Sequence, residues 1–353
     1  MRRGLSLRLL TAMCILAGAG TARAEDPAPT VIPKSTDEMK TGEAESGWHP
    51  RLKASANFAL GHTDGVPGTV DGLSINFGYL INAGLGFLND TKEHEWANTL
   101  AMQLSYSKTP AVDSLLKSLD VIDFKSSYLY HIPAVQWLGP FVSFRLTAPM
   151  LPGYDARGAD MEYIKLDREE SVSVQGEGDS AIYLDQDNNI IDDRIRTLTA
   201  NHKLTLTGAF APMTLKEAVG LFAMPLNKIE AKLDMRLGFG AWETFVRDGY
   251  FVDDNKDTAI LELRQMQDAV QLGPEFGVAL TGTVKKIVTY GLTAQFMQPV
   301  YHTADTELEG MDLLNMEFGA TLGVKAAEWL SIDYQFTAVK QPLLVDQWQI
   351  QNG

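Results

Sequence analysis

Apolar and polar residues alternate along much of the chain, and this alternation predicts the secondary structure. Between Leu73 and Phe87, apolar side chains occupy every second position and serine, asparagine or glycine fills most others, with Leu80 as the exception. A period of two places successive side chains on opposite faces of a β-strand. Eleven segments share the pattern: 52–61, 73–87, 98–106, 122–132, 142–147, 203–210, 229–239, around 276–278, around 290–292, 314–324 and 330–338. A twelfth begins at Gln347 and is unfinished at Gly353.

The length and charge of these segments predict membrane-spanning strands rather than the strands of a soluble sandwich. Several keep their phase for ten residues or more, enough to cross a bilayer at a tilt, whereas sandwich strands need only about 5 to 6 residues. No Asp, Glu, Lys or Arg occupies the apolar phase within these segments, where a charge at the bilayer midplane would cost about 2 to 4 kcal/mol.

We therefore predict an all-β fold, an antiparallel up-and-down transmembrane β-barrel of about 12 strands over residues 48–353. Bacterial single-chain barrels have even strand numbers. Because the twelfth strand stops short at Gly353, we expect a truncated last strand, with closure through the N-terminal lead-in or an oligomer as the alternatives.

The connections alternate in length, and this orients the predicted barrel. Long outside loops and short inside turns are the bacterial arrangement. The outer rim is assigned the connections 63–72, 109–119, 149–202, 246–271, 299–312 and a short one at 341–346. The inner rim is assigned 89–95, 133–136, 283–286 and 326–328. The inner connection 212–227 is too long for a tight turn, and we interpret it as a surplus loop rather than a short interfacial helix.

The segment before the barrel predicts export. A positively charged start, an apolar stretch at 7–20 and small residues before the cut predict a signal peptide, residues 1–24, cleaved after Ala24. Residues 25–47 have prolines and no periodicity, which predicts a flexible periplasmic lead-in. The one cysteine, Cys14, lies in the signal peptide, so the mature chain is expected to form no disulfide or thiolate metal site. After the signal peptide the sequence has no run of eighteen apolar residues that could form a transmembrane helix. A membrane-spanning chain must then be a closed β-structure, so an outer-membrane location is predicted.

Aromatic residues cluster where predicted strands meet the inner rim. An interfacial girdle of aromatic side chains in contact with outer-membrane lipid would have this distribution, although aromatic residues also favour strand ends in general. The girdle candidates are Trp48, Phe87, Trp96, Tyr130, Trp137 and Trp329. The other two tryptophans, Trp242 and Trp348, are expected toward the outer rim.

Negative charge is concentrated in the predicted outer loops. Residues 149–202 carry twelve acids and five bases, 246–271 six and three, and 299–312 four and none, against a chain net charge of −15. An acidic outer surface excludes nucleic acid as a partner and favours divalent cations or cationic solutes. The alternative is that these charges only keep the outer face solvated.

Candidate chemistry in the loops is weak. Asp185, Asp187 and Asn189 resemble the start of a calcium loop, but the sixth position is Ile190 instead of glycine and the twelfth is Arg196 instead of glutamate. A hairpin tip is the favoured interpretation, with adventitious calcium binding as the alternative. The outer-rim histidines His62, His202 and His302, with Asp64 near the first, lack the spacing of any hydrolase motif. We therefore expect neither an enzyme nor a cofactor.

The polar face of the strands carries charges of both signs. Rings of opposed charges can line a narrow aqueous pore, or they can lock into a salt-bridged, filled interior. The lumen-facing candidates are Lys53, Asp123, Lys125, Arg145, Glu230, Lys232, Asp234, Arg236, Glu275, Glu317, Lys325 and Asp333. We favour a passive pore for small solutes, with a surface-binding or structural barrel acting through its acidic loops as the alternative. Whether the 149–202 loop plugs the barrel, and the oligomeric state, are left open by the pattern.

Short motifs also carry a resemblance to a known group. Residues 96–100 (WANTL), 128–131 (YLYH), 139–141 (GPF) and 341–346 (QPLLVD) resemble a bacterial envelope family catalogued only as a domain of unknown function. The similarity extends over most of the chain from about Trp48. It implies an outer-membrane β-barrel and no activity, substrate or site residue.

Overall fold

The computed structural model describes residues 46–63, 72–110, 112–167, 170–175, 182–255, 258–285, 287–304, 306, 308–327, 330–343 and 345–352. The signal peptide and almost all of the lead-in lie outside the described residues. Within these ranges the chain is nearly all β-structure, and no helix is long and apolar enough to cross a membrane. The strands are β1 (Gly47–Thr63), β2 (Gly72–Leu88), β3 (His94–Thr109), β4 (Val112–Tyr130), β5 (Leu138–Ala148), β6 (Gly153–Asp155), β7 (Met161–Leu166), β8 (Ser173–Gln175), β9 (Ile182–Leu184), β10 (Arg196–Leu198), β11 (Leu204–Thr207), β12 (Met213–Asn227), β13 (Lys232–Phe245), β14 (Tyr250–Val252), β15 (Leu261–Gln265), β16 (Ala269–Val284), β17 (Val288–Met297), β18 (Tyr301–His302), β19 (Asn315–Ala327), β20 (Leu330–Gln341) and β21 (Val345–Asn352).

Twelve long strands form one antiparallel meander, which confirms the predicted fold class and strand number. Their order is β1-β2-β3-β4-β5-β12-β13-β16-β17-β19-β20-β21, and the short β18 also pairs with β16. The sheet curls into a barrel, because side chains of β5 and β12 reach a carboxylate on β19, several strands further along the sheet. Among the described residues the order begins at β1 and ends at β21, and both faces of β1 are exposed.

The sequence prediction assigned one segment wrongly to the barrel and missed one true barrel strand. The predicted number of strands is therefore still correct. In the segment 203–210 only β11 is a strand, and it pairs with β6 outside the barrel. The supposed inner loop 212–227 is instead the barrel strand β12, paired with β5 and β13. Its alternation is hidden because the inward face carries the buried Ala218, Phe222 and Met224, so both faces are apolar. The true inner turn is 228–231, and the outer loop continues from 149 to 212.

A smaller correction concerns the predicted outer loop 109–119. Here β3 and β4 continue as a paired extension, and β4 starts at Val112. The register shifts between Ser105 and Tyr106 and again between Ser107 and Thr109. A bulge of this kind exchanges the two faces of a strand, so the period of two breaks although the strand does not end.

The outward face of the barrel is apolar and exposed. Leu52, Leu221 and Leu237 are each more than half exposed, as lipid-facing side chains would be in the isolated chain. Two acids, Glu217 of β12 and Glu243 of β13, share this face near the outer rim. Neither acid lies in one of the alternating segments predicted from the sequence. The apolar phase of those segments still carries no charged residue.

The two longest outer loops fold together into a small cap with its own core. Its sheet has the order β10-β7-β15-β14, so strands from both loops pair with each other. Two apolar clusters fill the cap, one around Ile164 and Ile260 and one around Leu261 and Leu263. The buried Asp120 of β4 accepts hydrogen bonds from the backbone N–H groups of Met150 (2.9 Å) and Leu151 (2.8 Å), and so anchors the start of the first loop to the barrel.

Candidate functional site in the barrel interior

A cavity of about 690 Å³ lies inside the barrel. Side chains from ten strands, β1 to β5, β12, β13, β16, β17 and β19, line it. Inward and outward positions alternate along each strand, and most of the lining comes from the phase that the sequence marked as polar. Nine of the twelve lumen-facing candidates line this cavity: Lys53, Asp123, Lys125, Arg145, Lys232, Asp234, Arg236, Glu275 and Glu317.

The other three candidates lie elsewhere. Glu230 is exposed in the inner turn before β13, where its carbonyl oxygen accepts a hydrogen bond from the Tyr290 hydroxyl (2.7 Å). Its assignment to the lumen was wrong because β13 begins only at Lys232. Lys325 is exposed toward the inner end of β19 and is not part of the cavity lining. The side chain of Asp333 lies outside the described residues.

Near the outer rim, an aspartate and an arginine form a buried bidentate pair. The Arg145 guanidinium donates from Nε to Asp123 Oδ1 (2.8 Å) and from Nη2 to Oδ2 (3.2 Å). The Thr147 hydroxyl adds a hydrogen bond to Oδ1 (3.3 Å). Because a planar guanidinium matches a carboxylate in this way, the pair fixes both side chains against the β4–β5 wall.

A second set of contacts connects this wall to the opposite side of the barrel. Glu317 of β19 accepts a hydrogen bond from Lys216 of β12 and lies 3.8 Å from Arg145 Nη1 of β5. The ammonium of Lys216 also stands 3.5 Å from the ring centroid of Trp242. We call Asp123, Arg145, Lys216, Trp242, Glu275 and Glu317 the interior network. Its ion pairs bridge the lumen near the outer rim.

Neutral donors complete the interior network. Glu275 accepts hydrogen bonds from Trp242 Nε1 (3.1 Å) and Gln295 Nε2 (2.8 Å). Gln341 donates to Glu317 (3.0 Å). Beside them Met297 and Asn315 are fully buried. Trp242 was expected toward the outer rim and lies there, but its side chain points into the lumen.

The inner end of the barrel is partly filled by apolar side chains. Leu129, Phe141, Ala218, Phe222 and Met224 form a buried cluster on the wall made by β4, β5 and β12. These inward residues interrupt the polar phase of their strands. The cavity therefore lies between the interior network and this apolar cluster and extends along the β1–β4 wall.

A histidine–glutamate pair adjoins the apolar cluster at the inner rim. His131 follows the end of β4, and its ring nitrogens face two acceptors, Glu95 Oε2 (3.1 Å) and the Gln136 carbonyl (2.7 Å). Burial opposes the charged ring, but the hydrogen bonds to Glu95 and Gln136 outweigh it, and the pKa of His131 is raised above its usual value. The protonated ring satisfies both acceptors at once.

Three of these residues, Lys216, Glu95 and His131, are not among the candidates that the sequence pattern marked. Lys216 was missed with its strand. Glu95 lies before the predicted segment 98–106, and His131 continues the polar phase at the end of 122–132 without any mark that sets it apart. A signal for Lys216 was present, because Lys216, Ala218 and Gly220 alternate with Leu215, Val219 and Leu221, except at Glu217.

Some of the aromatic candidates of the inner rim contact other aromatic rings, and others do not lie in such a contact among the described residues. Trp48 lies against Phe87 (5.0 Å between ring centroids) and Trp96 (6.2 Å) on the outward face. Tyr130 packs against His94 (5.1 Å). Trp137 is half exposed in the next turn. Trp329 and the side chain of Trp348 lie outside the described residues.

The loop candidates show no assembled chemistry. Asp185 Oδ1 accepts hydrogen bonds from the backbone N–H groups of Asp187 (2.9 Å) and Asn189 (2.8 Å), so the weak metal candidates form the tip of a turn. In the described part of the chain, no three His, Cys, Asp or Glu side chains cluster so that they could hold a metal ion. The ring of His202 contacts the Thr199 hydroxyl (2.7 Å), and that of His302 contacts the Ala304 carbonyl (3.0 Å).

Comparison with known proteins adds little to this geometry. No family model matches the chain, so the resemblance to an uncharacterised envelope family stays a prediction. No curated protein matches either. Among solved structures, the chain is similar to the translocator domain of the autotransporter NalP from Neisseria meningitidis, with 9% sequence identity and a TM-score of 0.35, over 88% of this chain and 87% of that one.

Proposed function

We propose that the chain is an outer-membrane β-barrel that passes small solutes, and that the interior network holds its lumen closed in this structure. The supporting observation is the two-signed interior, in which charged side chains from both walls surround a cavity. A barrel that served only as an anchor would be filled at least as stably by apolar residues, because replacing a buried ion pair by well-packed hydrophobic side chains is often neutral or stabilising. Rings of charged side chains are one of the linings that channels use.

The closure rests on ion pairs and hydrogen bonds that can break and reform. Lys216 and Arg145 on one wall share Glu317 on the other. Removing that carboxylate breaks both contacts across the lumen and leaves two neighbouring cations on one wall, which repel each other. The lumen should then open more often.

Planar-bilayer recording of the purified, folded chain tests the proposal. We expect rare openings for the natural chain and frequent ones for Glu317→Gln, while Glu243→Gln, which removes an acid from the outward face of β13, should behave like the natural chain. Absence of conductance in all three, with folding verified by circular dichroism, would contradict the pore.

A second function, binding at the outer surface, is favoured by the cap. Loops that only solvate a barrel need no core of their own, whereas the cap buries two apolar clusters beneath an acidic surface. Its partner would be a divalent cation or a cationic solute.

Excision of residues 154–206 tests this second function, since Gly153 and Thr207 are cross-strand partners and a short linker can join them. Titration with Ca²⁺ and with spermidine should show saturable binding to the natural chain and weaker binding after excision. Equal binding by both forms would contradict a role for the cap.

A further inference from the structure

The register of the barrel gathers cations from separate strands into one line across the wall. Residues directly opposite one another on neighbouring strands share a face, with Cβ atoms about 4.5 to 5.5 Å apart. Following these partners from β1 to β12 gives Arg51, Gly84, Thr99, Lys125, Arg145 and Lys216 in succession. We call Arg51, Lys125, Arg145 and Lys216 the cation row.

Like charges directly opposite each other destabilise a sheet, so the cation row needs anions. Two carboxylates serve it. Asp123 is held by Arg145 and lies 3.9 Å from Lys125, and Glu317 is held by Lys216. Both carboxylates form their contacts at the end of the row nearer the outer rim.

The other end of the row keeps a surplus of positive charge. Arg51, together with Lys53 two residues further along the same face of β1, forms no ion pair with any described residue. On the facing wall Asp234 is paired with Arg236 (3.0 Å), and Glu275 is held by Trp242 and Gln295. The carboxylates of that wall are therefore engaged elsewhere.

Small residues leave room beside these cations. Gly84 and Thr99 separate Arg51 from Lys125 in the row, and all four line the cavity. A Cβ placed on Gly84 would lie 3.9 Å from Arg51 Nε, in ordinary contact and not in collision. The gap lies in the inner half of the barrel, away from the acidic outer loops that would repel an anion.

We infer that this gap binds a small soluble anion carrying carboxylate or phosphate groups, held between the Arg51 guanidinium and the Lys125 ammonium. The inference rests on the proposed function only in requiring that solutes reach the lumen from the inner rim. A guanidinium offers the bidentate geometry that carboxylates and phosphates prefer, and an ammonium adds a point charge. Cavities of this size take small ligands.

Isothermal titration of the full, folded chain in detergent with citrate and with inorganic phosphate tests the inference. We expect saturable binding of at least one anion, weakened about tenfold or more in Arg51→Gln/Lys125→Gln. Gly84→Val keeps every charge and fills the gap, and it should weaken binding as well. Lys228→Gln removes a cation from the exposed inner turn and should bind like the natural chain.

Two results would overturn the inference: no saturable binding up to about 10 mM of either anion, or unchanged binding in both cavity variants. Bilayer recordings separate this failure from that of the pore. Binding without conductance in any variant refutes the pore and leaves the anion site, whereas cation-selective conductance without binding refutes the anion site and leaves the pore.

Discussion

Replacing Glu317 by glutamine should destabilise the barrel because the change leaves two cations without their shared carboxylate. Glu317 is 5% exposed at its side chain and Lys216 is 9% exposed, so water replaces little of the lost interaction. Arg145 keeps its bidentate partner Asp123, whereas Lys216 keeps the face of the Trp242 ring and the more distant carboxylate of Glu275. The cost therefore falls chiefly on Lys216.

The magnitude follows from these contacts. Removing one partner of a buried ion pair costs about 3 to 5 kcal/mol. The cation–π contact that remains contributes about 0.5 to 2 kcal/mol in both forms, and it limits how far Lys216 is left uncompensated. We expect Glu317→Gln to lower the free energy of unfolding by about 3 kcal/mol.

A double variant provides a sharper test of this expectation. In Lys216→Met/Glu317→Gln the uncompensated cation is gone as well, so the double variant should be more stable than Glu317→Gln alone, by about 1 to 3 kcal/mol. Reversible urea unfolding in lipid vesicles, followed by tryptophan fluorescence, measures all three differences. Glu243→Gln serves as the control. A single-variant cost below about 1 kcal/mol, typical of a surface ion pair, or a double variant less stable than the single, would refute the role given to the network.

Three further perturbations test other parts of the structure. Phe222→Ala should lower the free energy of unfolding by about 3 to 5 kcal/mol, because Phe222 is fully buried in the inner cluster. Leu221→Ala, on the outward face of the same strand, should cost clearly less in the same urea titration. Equal costs would contradict the inward placement of Phe222. Asp120→Asn should release the start of the first outer loop, since the carboxylate accepts hydrogen bonds from two backbone N–H groups and from the Lys117 ammonium. Limited proteolysis should cut this variant within 149–212 faster than the control Asp193→Asn, with the barrel intact. Identical digestion of the two variants would argue against the anchor. The raised pKa of His131 means that its contact with Glu95 stabilises the fold fully below the unfolded pKa of about 6.5. This stabilisation is lost as the pH rises through the higher pKa of the folded state. The difference in unfolding free energy between the natural chain and His131→Phe should therefore shrink between pH 6 and pH 9, and a difference that grows would contradict the assignment.

The sequence predicted those strands whose two faces differ in polarity. In β2 the inward positions are glycine, serine and asparagine apart from Leu80 and the terminal Leu88, and the prediction of 73–87 matches Gly72–Leu88 closely. Phase was also sufficient to place Asp123, Arg145 and Glu317 on the inward face. It could not show that Arg145 and Glu317 approach within 3.8 Å, because that distance depends on register and curvature over several strands. The cation row is likewise a product of register, since its members are far apart in the chain.

The strand that the pattern missed shows why the lumen is asymmetric. β12 presents Lys216 to the interior network near the outer rim, and Phe222 and Met224 to the apolar cluster near the inner rim. A barrel strand with two apolar faces is one whose inward side chains fill the lumen instead of facing water, so the loss of alternation and the filling of that side have one cause. The strands β1 to β3, whose alternation is cleanest, bound the part of the interior that stays open, and Arg51, Gly84 and Thr99 lie there. Strict alternation in these strands therefore marks the wall that borders the open part of the interior, and its breakdown marks the wall whose side chains fill the lumen.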